Sequence, residues 1–381
     1  MMPPRVGEGP EGPGPELSFG EGRISGVLSV VLAALSLGAV LCFRFPALLT
    51  TPELRAVYPM ELVRGLLFAC LLLSLGLGLL SALLTRRLLL AAIGIGLAGA
   101  AVLLGGAWVE VAGAVPRSPH LGLDWFVLDL LVLALLFVPL ERWLPRRPRQ
   151  RVFRVGWPTD LAHFAASHLG VQAIALLALA PAALWLRLAP SGGWQDRVPT
   201  QPVALQLAAI VVLADAVQYG VHRAFHRVPR LWRFHAIHHS SRELDWLAGS
   251  RLHLVDILAT RAAVLLVLEV AGFAPGALTA YLVFVSFHAV WIHANLRSRL
   301  PGLRHLIVTP QFHHWHHAQE AEGLDVNFAV HLPVIDRIFG THRLPGERWP
   351  AATGIEGDPV PDGWLQQLAW PFTRGGPSGA G

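Results

Sequence analysis

The chain has 381 residues, of which 54% are hydrophobic and 14% charged, with a formal net charge of +5 at pH 7. Soluble domains carry about 25% charged residues, so an ordinary water-soluble enzyme is excluded, and a mean hydropathy of +0.51 excludes disorder over most of the length. The two cysteines, Cys42 and Cys70, both lie in apolar runs and exclude a disulfide framework or a cysteine-based metal site; all 30 basic residues are arginine, and 18 residues are histidine.

Residues 1–22 are rich in Gly, Pro and Glu, have no apolar period and lack a signal-peptide core, so they are expected to form a disordered tail. A membrane span needs roughly 20 apolar residues. Candidates follow at 24–43, 62–84, 88–114, 122–140, 161–186 and 203–221, and at a hairpin of 255–272 and 276–293 broken by the turn Gly272–Gly276. The expected fold is therefore all-α: a polytopic membrane helical bundle of about eight spans with a histidine-rich helical cap. Arg86 and Arg87 separate spans two and three, and Arg142, Arg146, Arg147, Arg149, Arg151 and Arg154 follow span four. The positive-inside rule puts both loops in the cytoplasm. Parity then places the end of span six near Tyr219, and everything after His293, on the cytoplasmic side, with a bacterial inner membrane as the expected location. Topology accounts for the arginines, so no nucleic-acid partner is expected. Gly94–Gly99 matches GxGxxG, but in mid-span, where glycines serve helix packing and no strand precedes a phosphate-binding turn.

Composition shifts near residue 155: only His120 precedes it, and 17 of the 18 histidines follow. The expected organisation is a tail, 1–22; a four-span membrane module of unassigned role, 23–150; a catalytic domain, 151–345; and a C-terminal tail, 346–381.

Three histidine boxes occupy the catalytic part. His222 and His226 form HxxxH; His235, His238 and His239 form HxxHH; His313, His316 and His317 form a second HxxHH. Residues three and four apart share a helix face, so each box aims two or three imidazoles one way, and eight rings can converge. One structural zinc takes four ligands and a catalytic zinc three plus water. Eight nitrogen donors therefore suit two metal ions with open positions. Imidazole suits iron, zinc, copper and nickel, so the count argues for a two-metal centre without naming the metal. For single histidines the plainer role is packing, and His314 is out of phase within its box. A lipid could reach such a site from the bilayer. Trp232, Phe234, Trp246, Phe312 and Trp315 interleave with the boxes, either lining a lipid channel or anchoring the cap at the interface.

These boxes, in this order, resemble the fatty acid hydroxylase superfamily, which includes sterol desaturase-like proteins. The resemblance extends to Asp215, Tyr219, His222, Arg223 and His226 (D-x3-Y-x2-HR-x2-H), to Arg251 and His253 (R-x-H), to His293 and Asn295 (H-x-N), and to Thr309 and Pro310 before the last box. It closes on Asp325, Asn327 and Asp336–Thr341, with Ile335 where the family has Trp, and covers about residues 155–345. It implies an oxidoreductase: a non-haem di-iron centre that uses O2 to hydroxylate or desaturate a C–H bond of a lipid of sterol or fatty-acyl type. Carried over by position, His222, His226, His235, His238, His239, His313, His316 and His317 would be metal ligands, with His293 as a ninth; His253 and His288 are weaker candidates. Ligating imidazoles usually donate their other N–H to an acceptor, and Asp215, two turns before His222, is the first expected partner; Asp256, Glu243, Asp245, Asp325 and Asp336 follow. Asp129 is expected to hydrogen-bond between helices. With no nicotinamide or flavin site, reductant would come from a separate electron-donor protein of ferredoxin or cytochrome type. Rival readings are a zinc-dependent membrane hydrolase, although HExxH and GxSxG are absent, and a non-enzymatic metal-binding membrane protein such as a transporter, although transporters place their ligands near the midplane.

Overall fold

The computed structural model describes residues 22–84, 88–111, 120–188, 193–297, 300–357 and 359–373. Arg86, Arg87 and all of the expected N-terminal tail except Gly22 lie outside the described residues. Among these, no β-strand occurs, and the regular structure is helical. The chain forms two compact units, residues 1–127 and 128–381.

In the first unit, α1 (Arg23–Arg44), α2 (Met60–Leu84) and α3 (Leu89–Leu103) pack side by side. Ser29 and Ser74 exchange hydroxyl-to-carbonyl hydrogen bonds of 2.8 and 2.9 Å. A Cβ at Gly94 would collide with Ser29, so the first glycine of the GxGxxG match serves close helix approach. The division between the units falls inside α4 (Leu123–Trp143), upstream of the composition shift.

The second unit continues with α5 (Trp157–Leu169), α6 (Val171–Leu188), α7 (Val203–Arg227), α8 (Pro229–His239), α9 (Leu254–Ala271), α10 (Pro275–His293), α11 (Pro310–His316), α12 (Pro333–Ile338) and α13 (Trp364–Ala369). Ile210 and Ala214 of α7, Val264 and Leu268 of α9, and Ala277 and Tyr281 of α10 form one buried core. A second core joins Tyr219, Ile292, Val308, Phe312, Phe328, Ala329 and Ile335, and so ties α7, α10, α11 and α12 together around the histidines. Burying a side chain such as Phe312 or Phe328 contributes about 1.5–3 kcal/mol. Asp129 bonds across helices as expected, its Oδ2 lying 2.8 Å from His168 Nε2 on α5.

Among the described residues, six helices are long and apolar enough to cross a membrane: Arg23–Arg44, Met60–Leu84, Leu89–Trp108, Leu123–Trp143, Val203–Arg227 and Pro275–His293. This is roughly consistent with the expected count of about eight. The stretch 161–186 is two helices that meet at Gly170, and 255–272 is an 18-residue helix carrying Asp256, Arg261 and Glu269. Part of the segment expected as a C-terminal tail packs on the catalytic part: Val360 and Trp370 pack on Ala236 and Ile237 of α8, and Gln367 accepts from His163 at 2.8 Å.

Candidate metal centre

The first box lies on the last turns of α7, where His222 and His226 are one turn apart. Val228 is extended and Pro229 opens α8, so the chain turns at once and carries His235, His238 and His239 back on the final turn. Thr309 caps α11 and Pro310 occupies its first turn, which brings His313, His316 and the cap residue His317 together. His293 closes α10.

Nine imidazoles converge in two adjacent groups. His222, His226, His235, His239 and His316 form one; His238, His293, His313 and His317 form the other; within each group one ring nitrogen per residue lies within 4.8 Å of every other. These are the nine histidines expected as ligands. The boxes split between the groups: on α8, His235 and His239 share one group while His238 turns to the other, and around α11, His313 and His317 share one group while His316 turns away. Successive helical residues point 100° apart, so adjacent histidines face different groups. His239 and His317 stack across the boundary with ring centroids 4.3 Å apart.

Five of the outer ring nitrogens are held. Nδ1 of His222 donates to Phe328 O at 2.8 Å, of His238 to Arg251 O at 3.2 Å, of His293 to Ala289 O at 2.7 Å, and of His316 to Val326 O at 2.8 Å. A carbonyl can only accept, so each Nδ1 carries the proton and each Nε2 presents a lone pair inward. His235 Nδ1 meets Asp256 Oδ2 at 2.7 Å. The inner nitrogens face one another: His222 Nε2 lies 3.0 Å from His235 Nε2, and His313 Nε2 lies 2.9 Å from His293 Nε2 and 3.1 Å from His317 Nε2. Nε2 of His226, His239 and His316, and Nδ1 of His313 and His317, are buried with no partner. Burial, reinforced by neighbouring imidazoles, holds His238, His239, His313, His316 and His317 well below the usual histidine pKa. Neutral rings with converging lone pairs and orphaned buried nitrogens fit metal cations, since such atoms are otherwise costly.

The supporting residues differ from expectation. Asp215 touches no histidine ring. It is fully buried, and its carboxylate accepts the amides of Val330, His331 and Leu332 at 2.8, 3.0 and 2.6 Å. Asp336 accepts those of Phe328 and Ala329, both at 2.8 Å. Five successive amides thus enter two carboxylates, fixing the loop whose Phe328 carbonyl orients His222. Position on the α7 face put Asp215 near the site, but the loop that it meets is 115 residues away. Asp256 fills the role expected first of Asp215. Replacing Asp256 by asparagine is expected to weaken metal binding about 10- to 100-fold, read by metal titration with the fold intact by circular dichroism.

His253 caps α9 by accepting from Val255 N, and its Nε2 donates to Leu368 O. His288 donates to Val308 O and meets His331, which in turn meets Tyr281; His331 carried no motif signal. His314 is buried, its Nε2 donating to His293 O at 3.2 Å. Trp246, Phe312 and Trp315 are buried, and Trp315 Nε1 donates to Arg348 O, so these three belong to the core; Trp232 packs on the rings of His226 and His239. Asp245 and Asp160 pair with the buried Arg154, and Asp160 also pairs with Arg251, whose carbonyl orients His238. Asp325 approaches His226 Nδ1 at 3.4 Å.

Sequence reasoning missed Glu141 and Gly249. Glu141 Oε1 accepts the amides of Trp246 and Asn295, both at 2.8 Å, and so joins the two segments that meet at His293. A Cβ on Gly249 would sit 2.8 Å from His293 Nδ1 and 3.1 Å from its Cγ. Gly249→Ala is therefore expected to push His293 off its Ala289 bond and lower turnover about tenfold or more, as a small misplacement at a reacting centre does, with secondary structure unchanged.

Comparison with known proteins follows the same residues. The family model described as Fatty acid hydroxylase matches residues 207–341. The chain is 30% identical over 262 residues to the ornithine lipid hydroxylase OlsE of Rhizobium tropici, covering 66% of this chain and 77% of that protein. It is 30% identical over 135 residues to the alkylglycerol monooxygenase of Homo sapiens (35% of this chain, 30% of that one). It is 32% identical over 158 residues to the very-long-chain aldehyde decarbonylase GL1-1 of Oryza sativa (38% and 25%). No solved structure gives a significant match.

Proposed function

Because this chain belongs to the fatty acid hydroxylase family, we infer that its nine clustered histidines hold two iron ions and that it oxidises a C–H bond of a membrane lipid with O2. Membership makes it an oxidoreductase, and its apolar helices make it a multi-pass membrane protein. The observation that carries the iron assignment is the partition of the nine imidazoles into groups of five and four, with buried ring nitrogens left without a partner in each. An all-nitrogen donor set suits iron, and two groups in contact suit a pair of ions. In this reading the metal ligands are His222, His226, His235, His239 and His316 at one iron and His238, His293, His313 and His317 at the other, within a catalytic domain of 151–345.

Bound iron supplies activation of O2 toward an unactivated C–H bond; the rest falls to the protein. The loop 326–332 and the Arg251 carbonyl orient the rings. Asp256 holds the outer proton of His235, and the buried core of Phe312 and Phe328 excludes water from the rings. Electrons come from a separate donor protein, and the site lies on the cytoplasmic face of a bacterial inner membrane, the side on which the arginines after α4 gather. The relatives named for ornithine lipids, alkylglycerols and very-long-chain aldehydes support a polar-headed lipid as substrate, oxidised by hydroxylation or desaturation.

The test is expression of the wild type and His238→Ala in a host membrane under 18O2, with comparative lipid mass spectrometry and iron analysis of purified protein. The expected result is about two irons per chain and one lipid class carrying label or a new double bond, only with the intact protein. Metal-free protein, or unchanged lipids with iron loaded and reductant supplied, would overturn the reading.

A further inference from the structure

We propose that the surface around Trp349 receives a small acidic one-electron carrier protein, and that His314 connects that surface to the His293 group. The proposal rests on the function above, because hydroxylation (R–H + O2 + 2 e⁻ + 2 H⁺ → R–OH + H2O) consumes electrons from outside the chain. Each docked carrier is oxidised by one electron, so two dockings serve one turnover, and the protons come from solvent.

The half-buried Trp349 is the outer end of a short aromatic path. Its ring lies edge-to-face on His314 with centroids 5.3 Å apart. His314 Nε2 donates to His293 O at 3.2 Å, and His293 Nε2 faces His238 and His313 in the group of four. The Arg146 guanidinium covers the Trp349 ring at 5.0 Å and reaches both His314 Nδ1 and the Pro350 carbonyl. Such stacking holds the indole in one orientation.

The rim is basic because three segments are laced together there. The stretch after α4 bonds through Arg146 N to Asn295 O, and Leu144 O accepts from Arg297 N. Arg147 reaches the carbonyls of Arg242 and Ala351. This brings the exposed Arg149, Arg242 and Arg297 onto neighbouring strips of surface. Two acidic groups, Glu243 and Glu320, lie beside Arg147. Opposite charge on a partner would steer its approach and fix its orientation. Arginines beside a span also suit lipid phosphates; the aromatic continuity from this face to His293 is what favours a redox protein.

The experiment uses full-length protein in neutral-lipid nanodiscs and, as probe, an acidic plant-type ferredoxin reduced with dithionite. Wild type is expected to bind it, with Kd rising at least tenfold between about 50 and about 200 mM salt, as screening of a charged interface requires. The triple variant Arg149→Gln, Arg242→Gln, Arg297→Gln is expected to weaken binding tenfold or more. Trp349→Leu is expected to slow metal reduction by saturating ferredoxin at least tenfold and to leave reduction by dithionite itself unchanged. No binding by wild type at low salt, an unaltered Kd in the triple variant, or unslowed reduction in Trp349→Leu would overturn the proposal. So would a triple variant that keeps ferredoxin and loses only anionic vesicles, which would assign the face to lipid phosphate. A sample whose metal dithionite cannot reduce counts against the iron reading instead, while its ferredoxin affinity still reports on docking.

Discussion

Replacing His313 with alanine is expected to lower bound iron from about two to about one per chain and to reduce turnover by at least a thousandfold. His313 is the hub of its group: its Nε2 lies 2.9 Å from that of His293 and 3.1 Å from that of His317. Removing it leaves three imidazoles and an opening in a buried site, with no fifth donor in that group among the described residues. The group of five keeps all its ligands, so one ion should persist. Loss of one member of a unit that acts together costs nearly the whole rate. Iron analysis of purified protein, with lipid product per iron, reads both effects. Two irons retained at full activity would show that His313 is not a ligand, and loss of both would show that the groups are not separable.

The second large effect is expected at Asp215, which touches no ring. Asp215→Ala would strand three amides, those of the buried His331 and the half-buried Val330 and Leu332. Each unsatisfied buried donor costs about 1–3 kcal/mol, so the loss of stability is expected at about 3–5 kcal/mol, with Tm lower by about 10 °C for a unit of this size. The loop would slacken, and the Phe328 carbonyl would lose its hold on His222 Nδ1. Asp215→Asn keeps one acceptor oxygen and turns an NH2 toward a backbone donor, so an intermediate loss is expected. Thermal unfolding in detergent, with iron occupancy measured well below Tm, separates the two consequences. A melting point within 2 °C of wild type for the alanine variant would refute the loop-clamp account.

Much of the site was legible because ligand spacing on a helix is local. HxxxH and HxxHH place rings on a face by helix geometry alone, and all nine histidines named from sequence meet in the two groups. Their division was not legible. Whether His238 or His239 faces a given group depends on how α8 is rotated, and that is set by the packing of Ala236 and Ile237 on Val360 and Trp370 rather than by spacing. The same holds for Asp215 and Asp256. Both carboxylates were candidates, but which one meets a ring and which meets a loop depends on segments far away in the chain. Glu141 and Gly249 left no trace in sequence, since each acts by meeting a backbone or ring at long range. In the spans, hydropathy read 161–186 as one crossing, and Gly170 divides it into two helices.

Composition and periodicity determined by themselves that this chain is a helical membrane protein carrying a histidine-rich site, because burial of apolar runs in lipid and the 3.6-residue turn act on neighbours in the chain. Tertiary structure alone decided which imidazoles share a group and which carboxylates meet a ring or a loop. Those choices depend on atoms brought together from distant segments, where a rotation of one helix by the angle of a single residue would redirect every ring it carries.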